Sequence, residues 1–156
     1  MQRVSEPLLR DDIASALNSA VVLFVRHIAY GQSLTQNAVL GQLDDDGPIR
    51  LTTLAAATGV SQPSMTQLIA RLERDGLVAR LEDPDDGRAT LVAITDDGRA
   101  HRVTTRRTLH GRLNELLETL PADDEASLAL AMRVAAPLIE QLSERARQRP
   151  APSAPT

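Results

Sequence analysis

Two short helical segments, Thr52 to Thr58 and Ser61 to Asp75, are separated by nothing more than Gly59 and Val60. A break that short forces the second helix to pack directly on the first, the arrangement of a helix-turn-helix. The residues suit it. Small Ala55 after Leu54 lets the two backbones approach, Gly59 permits the positive φ of the turn, and apolar Met65 and Leu68 seat the second helix on the first. Ser61 reads as an N-cap and Pro63 falls in the first turn, where its missing N–H costs nothing. Gly76 ends the segment. Gln62, Ser64, Thr66 and Gln67 then face outward, with Arg71 further along. Such short amides and hydroxyls can read base edges in a major groove, glutamine suiting adenine and Ser or Thr serving either kind of base. An ordinary helical hairpin with a solvated face remains the alternative at this point.

The next segment of the chain weighs against that alternative. Leu77 to Glu82 and Ala89 to Ile94 have the composition of strands and flank Asp83-Pro84-Asp85-Asp86-Gly87-Arg88, a polar loop with Pro and Gly placed for a hairpin. Directly after the second helix, such a hairpin forms a wing whose tip carries Arg88 among acids. Arg88 there can enter a narrow minor groove or meet a phosphate. A routine turn arginine pairing with Asp83, Asp85 or Asp86 is the competing reading.

The flanks are helical. From Asp11 to Gln32 the apolar residues Ile13, Leu17, Val21, Phe24 and Ile28 recur at steps of three or four, and one face of that long helix needs burial. A second helix spans about Thr35 to Asp44 and stops at Asp44-Asp45-Asp46-Gly47-Pro48, an acidic end expected to be solvated because it opposes the helix dipole. Thr95-Asp96-Asp97-Gly98 caps a further long helix with the stripe Val103, Leu109, Leu113, Leu116, Leu117 and Leu120, running to Pro121. Asp123 to Gln148 repeats the pattern through Leu128, Met132, Leu138, Ile139 and Leu142, with Pro137 expected to kink it or mark a bend. The expected fold class is therefore mainly α with a small β-hairpin wing. Residues 35–98 form the winged helix-turn-helix, 1–34 and 99–149 a helical dimerisation region, and 150–156 a disordered tail.

The net charge of −4 looks unsuited to a nucleic-acid partner, but its distribution corrects the impression: residues 50–107 carry nine arginines against eight acids, whereas the flanks carry −3 and −2. All seventeen basic residues are arginine, which suits bidentate phosphate and guanine contacts. The absence of cysteine removes disulfides, thiolate zinc sites and thiol redox sensing. No apolar leader lies in Met1 to Arg10 and no window reads as a membrane span, so a soluble, cytoplasmic chain with no membrane partner is expected.

The stretch Gly47-Pro48-Ile49-Arg50-Leu51-Thr52-Thr53-Leu54-Ala55, with Gly59-Val60-Ser61-Gln62-Pro63-Ser64-Met65-Thr66-Gln67-Leu68-Ile69-Ala70-Arg71-Leu72-Glu73-Arg74-Asp75-Gly76-Leu77-Val78, resembles the helix-turn-helix of the MarR family of transcriptional regulators. Asp83-Pro84-Asp85-Asp86-Gly87-Arg88 and Thr95-Asp96-Asp97-Gly98 are similar to that family's wing, with its Asp-x-Arg motif, and to the start of its next helix. The flanking helices match in number and placement. The resemblance implies a homodimer of intertwined terminal helices that presents two recognition helices and two wings to a palindromic double-stranded DNA operator, as a repressor. It places Ser61, Gln62, Pro63, Ser64, Thr66 and Gln67 on the recognition helix, Arg71 on its phosphate-facing side, Arg88 on the wing arginine, and Asp86 on the acid that orients it. The amphipathic stripes agree with the dimer, since two such helices on a small chain need a partner to cover them.

The same resemblance implies a cleft for a small aromatic or phenolic effector that releases DNA, with Phe24, Arg26, His27 and Tyr30 of the first helix as candidate lining. Each also has a plain reading, Phe24 as core and Arg26 as solvated. No metal or cofactor is expected, because His27, His101 and His110 share no i, i+4 spacing. Nor is an enzyme: there is no glycine-rich phosphate loop, nucleophile elbow or spaced acid–base pair, and the acidic runs at 44–46 and 83–86 read as solvated turns. The remaining competitor is a winged-helix module that binds protein instead of DNA.

Overall fold

A computed structural model describes residues 6–31, 33–84 and 86–148, with the backbone alone at residues 6–8, 87, 88, 147 and 148. The tail from Pro150 and the helix end expected at Gln32 lie outside the described residues. The chain falls into two compact units that divide between Leu34 and Thr35.

In the larger unit the core gathers around one helix, α4 (Gln62–Arg74), whose residues Met65, Leu68, Ile69 and Leu72 are buried. Their steps of three, one and three put all four on one face. Val39, Leu40 and Leu43 of α2 (Leu34–Asp46) and Leu54 and Ala55 of α3 (Leu51–Thr58) pack into the same cluster. Each Val, Leu, Ile or Met side chain among them contributes about 1.5–3 kcal/mol on leaving water. Gly59 closes α3 in the left-handed region at φ 66°, with Val60 N–H donating to Ala55 O at 3.1 Å. The turn between α3 and α4 therefore uses its glycine as the sequence suggests.

The wing is a hairpin of β2 (Val78–Asp83) and β3 (Asp86–Ile94), to which the two-residue strand β1 (Ile49–Arg50) adds a third antiparallel member in the order β1-β3-β2. Ile49 pairs with Val92 and Arg50 with Leu91. A strand of two residues is too short to show alternation, so the sequence reading misses it. The hairpin is also longer than that reading. The strands extend to Asp83 and from Asp86, with a register irregularity between Glu82 and Asp83, and the expected loop from 83 to 88 shrinks to the turn around Pro84. Arg88 thus lies within β3 and not at the wing's tip.

Beyond the wing, α5 (Asp96–Leu117) starts on a cap that locks it to the end of α4. Thr95 N–H donates to Leu77 O at 3.1 Å and its hydroxyl donates to Gly76 O at 2.7 Å while accepting from Gly98 N–H at 3.0 Å. Gly98 is buried against this turn. Arg99 and Arg102 both donate to the carboxylate of Asp44, tying α5 to α2. The acidic end of α2 is therefore not simply solvated as expected. The helix continues to Asp46, and its first aspartate is half-buried between two guanidinium groups that offset the dipole. The last helix, α6 (Ala122–Gln148), opens on Asp123, Asp124 and Glu125, which favour a helix N-terminus, and runs through Pro137 without interruption.

The smaller unit holds α1 (Glu6–Leu23), which passes into a π-helical turn, Phe24–Ile28, instead of continuing as α-helix to residue 32. Ala29 N–H donates to Phe24 O at 2.7 Å, the wider i to i−5 pattern.

An alanine methyl at Gly98 would stand 2.1 Å from Leu77 O and 2.7 Å from Ile94 Cγ1, so Gly98→Ala is expected to destabilise the protein by about 1–3 kcal/mol. Gly111→Ala, on the same helix with nothing within 4 Å of the added carbon, is expected to gain about 0.8–1 kcal/mol. Urea unfolding of the two variants checks the contrast.

Candidate nucleic-acid interface

Burying one face of α4 leaves the opposite face to solvent, and most of the residues there are polar. Ser61, Gln62, Pro63, Ser64, Thr66, Gln67 and Arg71 are all exposed. The structure thus brings the proposed recognition residues together on one surface. Within it the groups differ in what they are already doing. Ser61 caps the helix, its Oγ accepting from Ser64 N–H at 3.4 Å and donating to Ser64 Oγ at 2.9 Å. Thr66 donates its hydroxyl to Gln62 O at 2.9 Å. The exposed amides of Gln62 and Gln67 are the longer groups of the set, and each carries a donor and an acceptor that could meet a base edge.

Arginines border this surface. Arg71 and Arg74 occupy the last turn of α4, where a positive charge also complements the dipole. Arg80 of β2 reaches back to α4, its Nε donating to Glu73 Oε2 at 3.0 Å. That bridge is substantially exposed on both sides and is worth at most about 1 kcal/mol.

At the foot of the wing turn stands a stronger pair that sequence reasoning did not single out. Arg50 Nε donates to Asp83 Oδ2 at 2.7 Å and Arg50 Nη2 lies 2.6 Å from the same oxygen. The Asp83 side chain is 5% accessible, against 46% for Arg50. Asp83 is therefore not the solvated turn acid expected of the run 83–86. A buried carboxylate is tolerated here because a guanidinium meets it with two N–H groups. Asp86 is exposed, its Oδ2 lying 3.9 Å from Arg50 Nη2. The side chain of Arg88 lies outside the described residues, so its pairing with Asp86 is an expectation. No local spacing could have revealed the Arg50–Asp83 pair, since its members are 33 positions apart.

The candidate effector residues lie in or beside the π-helical turn. Arg26 and His27 are exposed, Tyr30 is 76% accessible, and Phe24, expected as core under the plain reading, is 36% accessible. Ile28 and Ala29 are the residues buried there. Among the described residues no group of three or more His, Asp or Glu is placed to hold a metal ion, and no helix is long and apolar enough to cross a membrane. His101 faces Gln36, their Nε2 atoms 3.3 Å apart.

A family model described as the MarR family matches residues 33–90. Over 134 residues the chain is 33% identical to an HTH-type transcriptional regulator of Mycobacterium leprae, covering 83% of this chain and 94% of that protein. Among solved structures, a probable transcriptional regulator from Pseudomonas aeruginosa shares 30% identity at a TM-score of 0.52, over 81% of this chain and 98% of that one. A transcriptional regulator from Thermotoga maritima is alike in fold, with a TM-score of 0.69 at 20% identity over 86% of this chain and 98% of the other.

Ser61→Ala removes the cap of α4 and is expected to cost about 0.5–2 kcal/mol, whereas Ser61→Asp, an equally good cap, is expected to keep wild-type stability. Thermal unfolding followed by circular dichroism distinguishes the two.

Proposed function

The chain belongs to the MarR family of transcriptional regulators, and from that premise we propose that it is a homodimeric repressor that binds a palindromic DNA operator through α4 and the wing. The observation that carries this reading is the two-sidedness of α4. Its apolar face is wholly buried and its opposite face, which carries Gln62, Gln67 and Arg71, is wholly exposed. A helix so held can enter a major groove without giving up any of its core contacts. Ser61, Pro63, Ser64 and Thr66 shape the near end of that face, and Arg88 on β3, oriented by Asp86, supplies the wing contact.

Dimerisation is supported by what the single chain leaves uncovered. Ile13, Leu17 and Val21 on α1 and Leu130, Val134, Leu138 and Leu142 on α6 are all exposed, Leu130 and Val134 at 65%. Stripes of that kind on a soluble chain call for a partner surface, and two copies of this chain supply it. In this reading residues 1–34 and 99–149 make the dimer, and residues 35–98 meet DNA. Phe24, Arg26, His27 and Tyr30 are the proposed contacts for a small aromatic or phenolic effector that releases the operator, since an exposed ring beside Arg26 and His27 suits an aromatic anion.

Sedimentation at micromolar concentration is expected to give twice the 16.8 kDa chain mass, and a well-folded monomer would contradict the dimer. Arg88→Ala is expected to weaken binding to specific and non-specific duplexes alike and to lower the salt slope by about one unit per wing. Its thermal stability should stay within about 0.5 kcal/mol of wild type. Fluorescence anisotropy against a labelled duplex over a range of salt provides the check, and affinity unchanged at every salt concentration would exclude the wing from the interface.

A further inference from the structure

Arg50 stands where the helix-turn-helix meets the wing. It is the residue before α3, held in extended conformation at φ −64° and ψ 140°, and it pairs with Leu91 in the sheet. From there its guanidinium reaches the far end of β2. Two of its nitrogens converge on Asp83 Oδ2, at 2.7 and 2.6 Å, and one of them lies 3.9 Å from Asp86 across the turn. Asp83 marks the point where the regular pairing of β2 with β3 ends: Glu82 still faces Thr90, and the next pair is Asp83 with Asp86.

A carboxylate this well buried has lost most of its water, so its orientation depends on the groups that replace that water, Arg50 among them. The exposed Arg80–Glu73 bridge lacks that dependence, because either partner can return to solvent. The wing is otherwise a narrow hairpin beyond the reach of the buried cluster, whose strand members are Val78, Val92 and Ile94 at its base. Its turn therefore needs a separate anchor, and the Arg50–Asp83 pair is placed to provide one.

We infer that Arg50 is a positioning residue, which through Asp83 fixes the pose of the wing against the helix-turn-helix and so sets where β3 presents Arg88. The inference rests on the reading of the wing as a DNA contact, and a direct role for Arg50 on phosphate is the competing account. Charge separates the two. Asp83→Asn removes a negative charge from the binding surface and weakens the hold on Arg50, so direct contact by Arg50 calls for tighter binding. A positioning role calls for weaker binding, because the anchor has lost its charge. Arg50→Lys keeps the positive charge for a phosphate but replaces two converging N–H groups with one flexible ammonium.

The test compares full-length wild type, Asp83→Asn and Arg50→Lys by anisotropy on a random-sequence duplex and by amide hydrogen exchange. Each variant is expected to bind about tenfold more weakly, the loss of one charge-assisted hydrogen bond. Amides from Glu82 to Leu91 are expected to exchange faster while those of α4 keep their protection, which also shows that each variant folds. Asp83→Asn that binds as tightly as wild type or more tightly, or wing amides that exchange at the wild-type rate in Arg50→Lys, would overturn the inference. Wild-type protein that binds no duplex would instead contradict the DNA reading, and exchange at the wing amides would still decide whether Arg50 holds it.

Discussion

Burial of Met65, Leu68, Ile69 and Leu72 is the interaction on which the rest of the winged unit depends. Four apolar side chains on one face of α4 fix not only that the helix packs but how it is rotated about its axis. Rotation decides which residues meet solvent. Once those four point inward, Gln62, Ser64, Thr66, Gln67 and Arg71 have no direction left but outward. The proposed recognition surface is thus the reverse side of the core, and its direction is set by the core that holds it.

Polar links then carry that rigidity to the neighbouring elements. Thr95 and Gly98 clasp the turn at Gly76 and Leu77, so α5 starts from a point fixed by the end of α4. Asp44 draws Arg99 and Arg102 of α5 onto α2. On the other side Asp83 draws Arg50 across to the wing. Each link uses a buried or half-buried carboxylate or a cap to hold an element that the hydrophobic cluster reaches only at one end, as in the wing, or that supplies none of its members, as in α5. For a chain with one Phe, one Tyr and no Trp, whose core is made of small aliphatic residues, such links fix orientation where bulk alone would leave it loose.

Local chemistry was legible in the sequence and distant pairing was not. Gly59 and Ser61 announce the turn and the cap because their roles are played within three residues, and Thr95 with Gly98 does the same at the start of α5. The inward residues of α4 follow from helical periodicity. By contrast β1 exists through its partners Val92 and Leu91, and the burial of Asp83 exists through Arg50, neither of which leaves a local mark. The wing's turn was overestimated because six polar residues in a row read as loop, although β pairing extends through them from both sides. Exposed apolar stripes on α1 and α6 are a different case: the periodicity that foretells burial is present, and in the proposed dimer a second copy would cover them.

Geometry also constrains what a dimer of this chain can recognise. In the proposed homodimer, two copies related by a two-fold axis would present two α4 helices to one face of a duplex, so the half-sites they read would be inverted and spaced by about one helical turn, ~10 bp centre to centre. The most direct measurement is selection of duplexes bound by the full-length protein from a random pool, followed by sequencing. The account predicts enrichment of an inverted repeat with that spacing. Enrichment of a site without dyad symmetry, or no enrichment over the starting pool, would contradict it.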